Sequence, residues 1–153
     1  MGQALALAAL DQGLRVSVWN RTIEKCAGAV QAGAEMAQTF EAGTLACDVA
    51  VICLADAAAV DAALNPQAMG NLQDKALVQL SQTTDDQAEA IAHRAAVAGA
   101  GFLDGSIMGY PSDVRAQRCM IVYSGEVAVF DRYRPVLAAL GGRPRHVGGS
   151  AGA

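Results

Sequence analysis

Strand-like and helix-like patterns alternate along the whole 153-residue chain, and this alternation limits the possible folds more than any other feature. Short apolar runs predict buried strands at 15–19, 48–54, 75–81, 99–105, 119–125 and 143–148. Helical patterns predict helices at 2–12, 22–31, 85–98 and 126–139. Strands that alternate with helices pair in parallel through right-handed crossovers. The sequence therefore predicts one α/β domain, in which a doubly wound, mostly parallel sheet carries helices on both faces.

Composition and charge restrict the functions open to this domain. Hydrophobic residues make up 53% of the chain and aromatic residues only 5%, which predicts a core of small aliphatic side chains. The net charge of −4 argues against a general nucleic-acid surface, which needs a basic stripe. The four cysteines form no C-x-x-C pair, so neither a metal site nor a disulfide framework is expected. We expect a cytoplasmic protein with reduced thiols, and no apolar run approaches the ~20 residues of a membrane helix.

A group of polar and basic residues follows the first strand-like run, in the stretch VSVWNRTIEK. In dinucleotide-binding folds the residue that ends the second strand faces the adenosine ribose. A carboxylate there would repel a 2′-phosphate, whereas Asn20, Arg21, Thr22 and Lys25 would attract it. These four residues predict a site for NADP(H). The alternative is a polar turn, in which Thr22 caps a helix and Arg21 and Lys25 are solvated neighbours.

The first residues match only part of the pattern with which such a nucleotide fold begins. That pattern is a strand followed by a G-x-G-x-x-G turn, whose amides hold the pyrophosphate. MGQALALAAL matches its last glycine, Gly2, and the following helix, at a point where helix and strand pack closely. We expect the first strand and the G-x-G turn to be missing, because the chain is a fragment or its start is mis-assigned. The alternative is a complete protein that begins with a helix.

Five motifs spread over nearly the whole chain belong together: MG-x-ALA, V-x-VWNRT-x-x-K, VICLADAAAV, DGSIMGYP and a final YSG…LGG pattern. They resemble the nucleotide-binding domain of NADPH-dependent imine reductases, a branch of the β-hydroxyacid dehydrogenase superfamily. The resemblance implies a Rossmann-like domain followed by a long helix and a helical dimerisation domain. The long helix and the helical domain are expected to lie outside these 153 residues. It also implies hydride transfer from NADPH to the C=N bond of an imine, with a small-molecule imine or a related carbonyl compound as the substrate. The homodimer is expected only with the second domain, and the chain by itself is expected to be inactive.

Residues that follow other predicted strands are implied to contact the cofactor. They are Leu54, Ala55, Asp56, Val60, Ser81 and Thr83. The first three would pass under the pyrophosphate and nicotinamide ribose, Val60 would lie toward the adenine, and the last two would hydrogen-bond near the nicotinamide. For Asp56, a helix N-cap is an equally open role.

The loop after the strand predicted at 99–105 separates two branches of the superfamily. Hydroxyacid dehydrogenases carry a D-A-P-V-S-G-G type of motif there, whose Ser and Gly residues hold a substrate carboxylate. In this chain Met108 replaces the Ser and Tyr110 replaces the final Gly, while Gly109 matches the Gly between them. Since a thioether cannot donate to a carboxylate, these three substrate-binding candidates favour imine reduction. A 3-hydroxyacid dehydrogenase and a non-catalytic nucleotide-binding remnant stay open, and a buried strand leading into a turn would also explain the IMGYP stretch.

No catalytic acid is assigned from the sequence. In the family that the chain resembles, the proton donor comes from the helical domain. Tyr110 and Tyr123 are poor candidates for the role, and Cys53 lacks a histidine partner within reach in the sequence.

Overall fold

A computed structural model describes residues 1–149 of the protein. The helices are α1 (Gly2–Asp11), α2 (Ala27–Gln31), α3 (Phe40–Ala46), α4 (Ala57–Ala63), α5 (Pro66–Gly70), α6 (Asp85–Val97), α7 (Pro111–Arg115) and α8 (Val127–Gly141). The strands are β1 (Ser17–Val18), β2 (Glu35–Met36), β3 (Val49–Ile52), β4 (Ala76–Gln79), β5 (Gly101–Met108), β6 (Cys119–Gly125) and β7 (Gly142–Gly148). A short 3₁₀ helix, Ile23–Cys26, precedes α2. Among these described helices none has the length and apolarity to cross a membrane.

The sheet is mostly parallel, as predicted, but it consists of two parts. One part has the strand order β3-β4-β5-β6-β7, and the other is the pair β1-β2. Neighbouring strands run parallel except β5 and β6, which pair antiparallel from Leu103↔Gly125 to Met108↔Met120. Within residues 1–149 the two parts share no strand pairing, so the sheet is interrupted between β1 and β3.

Helices cover both faces of the five-stranded part, which confirms the predicted α/β class. Successive strand residues point to opposite faces. Val78 and Leu103 therefore pack with α1 and α8 in one core cluster, while the adjacent Leu77 and Phe102 pack with α4 and α6 in the other. All four residues of β4 are buried, so this strand lies at the centre of the fold.

The strands with long apolar runs and the longest helices lie where the sequence predicts them. β3, β4 and β6 fall within the predicted ranges, and α6 and α8 match their predicted helices to within two residues at each end. β5 begins two residues later than predicted and continues three residues further, to Met108, because its second half pairs with β6. The helices α3, α4, α5 and α7 and the strand β2 were not predicted, since they are short.

The first predicted strand needs correction. β1 covers only Ser17–Val18 instead of 15–19, and its residues are exposed or half-buried rather than buried. It pairs only with β2 in the described part of the chain, so one of its edges lacks a neighbour. Thr22 does precede a helix, but its side chain makes no capping hydrogen bond. The turn is held instead by the Thr22 amide, which donates to Asn20 Oδ1 at 2.9 Å.

Gly142 provides a test of the junction between α8 and β7. It has φ +93°, and a Cβ added there would lie 2.2 Å from the carbonyl oxygen of Gln117. Gly13 is the matched control, because it has φ +79° and nothing within 4 Å of an added Cβ. Left-handed strain of about 1–2 kcal/mol affects both positions. We expect Gly142→Ala to lower the free energy of unfolding in urea by clearly more than Gly13→Ala, and equal losses would contradict the clash.

Candidate functional site

An open cleft of about 280 Å³ lies between β1 and β3, where the two parts of the sheet face each other. We call it the sheet cleft. Aliphatic side chains line its sides, among them Val16 and Val18 around β1 and Val49 and Val51 on β3. α1 runs along it through Leu5 and neighbouring small residues. The cleft is therefore apolar between the strands, and polar groups lie near its ends.

Four of the predicted cofactor-binding residues line this cleft: Gly2, Asn20, Lys25 and Leu54. Asn20 follows β1 and Leu54 follows β3, so both lie beyond the carboxyl ends of strands. In parallel α/β sheets this is the edge at which ligands bind. The structure thus brings Gly2 and Leu54, which are more than 50 positions apart in the sequence, to the same cleft.

Arg21 and Lys25 are exposed cations in the turn after β1. Neither side chain forms an ion pair or a hydrogen bond with any residue in the range 1–149. Lys25 lines the sheet cleft, whereas Arg21 and Thr22 lie outside its lining. The predicted polar turn is present, and its two cations are available to an anionic ligand.

The close packing predicted for Gly2 against the strand of the fingerprint stays a prediction, and its surroundings near the end of β3 are less tight. A Cβ added at Gly2 would lie 3.6 Å from the Cys53 carbonyl oxygen and 3.9 Å from its Cβ, which are ordinary contact distances. β3 therefore does not require glycine at the start of α1.

Ser81 acts on the loop after β3 through a hydrogen bond. Its Oγ accepts from the Leu54 amide at 2.8 Å, across 27 positions of sequence, and the residue is buried. Gln79 in turn holds Ser81 through two bonds: its Oε1 accepts from the Ser81 amide at 2.7 Å, and its Nε2 donates to the Ser81 carbonyl at 3.0 Å. The same Nε2 donates to Thr83 Oγ1 at 3.2 Å. This network fixes where Leu54 stands at the ligand edge.

Sequence reasoning did not identify Gln79 as a site residue. Gln79 is completely buried at the end of β4. The available signal was one amide side chain within the apolar run KALVQLS. A buried amide must find hydrogen-bond partners, and at the end of a strand these partners are the next backbone groups.

The burial of Val60 disagrees with its predicted contact with the adenine, and the structure shows one role of Asp56. Val60 is 1% exposed and packs in the core cluster around α4 and α6, so it has almost no surface to offer an adenine. With Thr83 it borders a small cavity of about 60 Å³. Asp56 Oδ1 accepts from the Ala59 amide at 2.8 Å, which confirms the N-cap alternative. Ala55 and Asp56 are exposed beside Leu54.

The predicted substrate residues lie at the end of β5, outside the sheet cleft. Met108 and Tyr110 are 63% and 77% exposed, so the stretch is not a buried strand. A turn does follow, because the Tyr110 amide donates to Asp113 Oδ2 at 3.0 Å and α7 begins at Pro111. A Cβ at Gly109 would lie 2.9 Å from Cys119 Sγ, so only glycine fits there without a shift. Two large exposed side chains thus flank a tightly packed glycine.

Neither Tyr123 nor Cys53 has the setting of a catalytic group. Tyr123 is fully buried, its hydroxyl has no hydrogen-bond partner within residues 1–149, and burial raises its pKa. Burial likewise raises the pKa of the Cys53 thiol, so its reactive thiolate form is disfavoured. We therefore assign no proton donor among residues 1–149.

Comparison with known proteins identifies the domain. Residues 1–148 match the family model of the NAD binding domain of 6-phosphogluconate dehydrogenase. The chain belongs to this family. The sheet cleft and the polar residues at its carboxyl-end rim therefore lie in a nicotinamide-dinucleotide-binding domain.

Individual relatives are reductive aminases and imine reductases. An NADPH-dependent reductive aminase of Aspergillus oryzae is 35% identical over 153 residues, which are 99% of this chain and 51% of that protein. The imine reductase of Myxococcus stipitatus in complex with NADP+ has a TM-score of 0.94 at 35% identity, over 99% of this chain and 53% of that one. The reductive aminase of Aspergillus terreus in complex with NADPH and ethyl levulinate has a TM-score of 0.89 at 34% identity, over 100% and 53%. The chain spans about half the length of these relatives.

Replacing Gln79 tests the network that holds Leu54. Gln79→Leu keeps the volume of the side chain but leaves the Ser81 amide and carbonyl without their partners, which costs about 1–3 kcal/mol for a buried group. Gln82→Leu is the control, since Gln82 is exposed and a surface change is usually within about 0.5 kcal/mol. Urea denaturation measures the free energy of unfolding of both variants. A Gln79→Leu variant as stable as the control would contradict the role of the network.

Proposed function

We propose that this chain is the NADP(H)-binding domain of an oxidoreductase that transfers hydride from NADPH to the C=N bond of an imine. The observation that carries the proposal is the superposition of 99% of the chain on an imine reductase solved with NADP+, at a TM-score of 0.94. The match covers the stretch after β1, in which this chain has an amide and two cations and no carboxylate at Asn20.

The residues of the turn after β1 fit the extra phosphate of NADP(H). The Arg21 guanidinium and the Lys25 ammonium lack partners among the described residues, so phosphate oxygens would not compete with a carboxylate for them. The Asn20 side chain already accepts from the Thr22 amide, and this bond holds the turn in place. The Thr22 hydroxyl remains as a further donor. The proposed phosphate site is therefore assembled from one turn.

The loop after β3 is proposed to support the cofactor at the next strand end. When bound, the nicotinamide supplies the hydride, while the protein supplies position and electrostatics. Ser81 accepts from the Leu54 amide, and Gln79 bonds to Ser81, so the backbone amide of Leu54 is held in place without a ligand. In this proposal Ser81 and Thr83 act by positioning, and Asp56 orients the loop by capping α4.

The substrate side of the proposal rests on the end of β5. Met108 and Tyr110 present thioether and phenol side chains to solvent, and Gly109 keeps the turn between them tight. An apolar, polarisable surface suits a small-molecule imine or related carbonyl better than a carboxylate. The proton donor and the homodimer contacts are assigned to residues outside this chain. A cytoplasmic location also belongs to the proposal, supported by four free thiols.

The activity is tested on a longer form of the protein that includes a second domain, with the 153-residue chain assayed in parallel. We expect the longer form to oxidise NADPH in the presence of a five-membered cyclic imine, and the short chain to show no turnover. Absorbance of NADPH at a fixed imine concentration measures both. Turnover of a 3-hydroxyacid with NADP+ in place of imine reduction would favour the hydroxyacid dehydrogenase alternative, and no turnover with either would favour a non-catalytic domain.

Replacing Arg21 tests the phosphate site. In the form that binds nucleotide, Arg21→Gln should weaken NADPH about 10- to 150-fold and NADH hardly at all, because a charged hydrogen bond contributes roughly 1.5–3 kcal/mol. Arg143→Gln is the control, since Arg143 is an exposed cation on β7 at the far side of the sheet. Titration of both nucleotides by fluorescence gives the dissociation constants. An equal loss for NADPH and NADH would contradict a contact with the 2′-phosphate.

A further inference from the structure

The side chain of Trp19 attaches the turn after β1 to another part of the domain. Trp19 is the residue before Asn20, where the turn begins, and it is half-buried. Its ring packs on the ring of Phe40, with 5.6 Å between the ring centroids and 58° between the ring planes. Aromatic pairs prefer tilted arrangements at this separation. The residue next to the proposed phosphate site is therefore held by an aromatic contact.

Phe40 connects this contact to the core of the five-stranded part. It is the first residue of α3, and the Thr39 side chain caps the same helix by accepting from the Ala42 amide at 3.1 Å. The Phe40 ring also packs against the core cluster that contains Ile52 and Leu77. Phe40 therefore bridges the indole of Trp19 and the buried core.

Side chains beside α5 and β4 hold α3 in place. Lys75 Nζ donates to the carbonyls of Thr44 and Leu45 at 3.0 and 2.9 Å, near the last turn of the helix. Lysine commonly bonds to the last carbonyls of a helix in this way. Asn71 Nδ2 donates to the Glu41 carbonyl at 3.0 Å and to the buried Thr44 Oγ1 at 3.3 Å. These bonds fix the helix that carries Phe40 to the five-stranded part.

The hydrogen bonds within the turn after β1 fix its shape and leave its place to the residues at its two ends. The Thr22 amide donates to Asn20 Oδ1 at 2.9 Å, and the Lys25 amide donates to the Thr22 carbonyl at 3.0 Å. Both bonds join residues of the turn to each other. Cys26 is buried and anchors the far end. Trp19 anchors the end at which Asn20 lies.

We propose that Phe40 is a positioning residue of the nucleotide site, which sets the preference for NADPH over NADH by holding Trp19 and, through it, Asn20 and Arg21. Phe40 acts through the indole and is assigned no contact with the nucleotide. The inference rests on the proposed function, in which this turn binds the 2′-phosphate. It extends the phosphate site from one turn to α3 and to the side chains that hold α3.

Selectivity is the expected effect because the 2′-phosphate is present in NADPH and absent from NADH. Hydrogen bonds weaken steeply when donor and acceptor are misaligned, and small displacements of a binding group have large effects. A displaced turn would misalign Arg21 with the phosphate oxygens, while NADH would lose little. If Phe40 served stability alone, its loss would change unfolding and leave the ratio of the two dissociation constants as it was.

The fluorescence of Trp19 tests the anchoring in the 153-residue chain, whose only tryptophan it is. Phe40→Leu removes the ring contact and keeps an apolar side chain, whereas Phe40→Tyr keeps the ring. Phe102→Leu is the matched control, because Phe102 packs in the same core cluster from β5. We expect acrylamide to quench Trp19 about twofold more strongly in Phe40→Leu and no more strongly in the other two variants. Equal quenching in Phe40→Leu and Phe102→Leu would overturn the proposal.

Nucleotide titration tests the effect on selectivity, in the longer form of the protein that includes a second domain. We expect Phe40→Leu to reduce the preference for NADPH over NADH by about fivefold or more, by weakening NADPH. Phe102→Leu and Phe40→Tyr should leave the ratio within about twofold. If Phe40→Leu fails to fold, Lys75→Met takes its place, since it removes two bonds that hold α3 and should lower the ratio about threefold.

The Arg21→Gln variant separates failure of this inference from failure of the proposed function. A preference for NADPH that falls in Arg21→Gln and persists in Phe40→Leu, or in Lys75→Met where that variant replaces it, would overturn the positioning role alone. An unchanged protein that binds NADPH and NADH equally would overturn the phosphate site and the positioning role together. A loss of preference in both Arg21→Gln and Phe40→Leu, with Phe102→Leu unaffected, supports the inference.

Discussion

The structure depends on the burial of β4, because the five-stranded part of the sheet and both core clusters are built around this strand. Its four residues are buried, and it pairs in parallel with β3 and β5. Leu77 and Val78 anchor the two core clusters on opposite faces. A strand with no access to water must satisfy each of its polar groups internally. Gln79 does so at the end of the strand, and the same bonds fix the loop that carries Leu54.

A strand could be predicted from the sequence where its own apolar residues show that it is buried, and not where its burial depends on a neighbouring strand. The runs DVAVICL and KALVQLS are mostly apolar, so strands were predicted there and observed. The run RVSVW has the same character, yet β1 is short and half-exposed, because burial of a strand depends on a neighbour that the sequence pattern cannot supply. Short helices such as α4 lack the length to show a helical period. The sequence pattern therefore predicted the central strands of the sheet correctly and overestimated the length and burial of β1.

The residues of the candidate site likewise include some that the sequence located and others that it misplaced or missed. Residues predicted from their place after a strand, such as Asn20, Lys25 and Leu54, lie together at the cleft. Val60 was misjudged because its turn of α4 faces the core, and an Ala-rich helix gives no clear indication of which side is buried. Gln79 was missed because its importance comes from Ser81 and Leu54, contacts that appear only in three dimensions. Arg21 forms no ion pair within residues 1–149, whereas four other arginines pair with aspartates. Such exposed pairs contribute little to stability.

The antiparallel register of β5 and β6 matters for anyone who evolves this protein in the laboratory. Met108 lies directly opposite Met120 in the strand register, so their side chains project from the same face of the sheet although twelve positions separate them in the chain. Residues in contact show coupled effects on mutation. A library should therefore vary Met108 and Met120 together, because a substitution at one position is expected to change the effect of a substitution at the other.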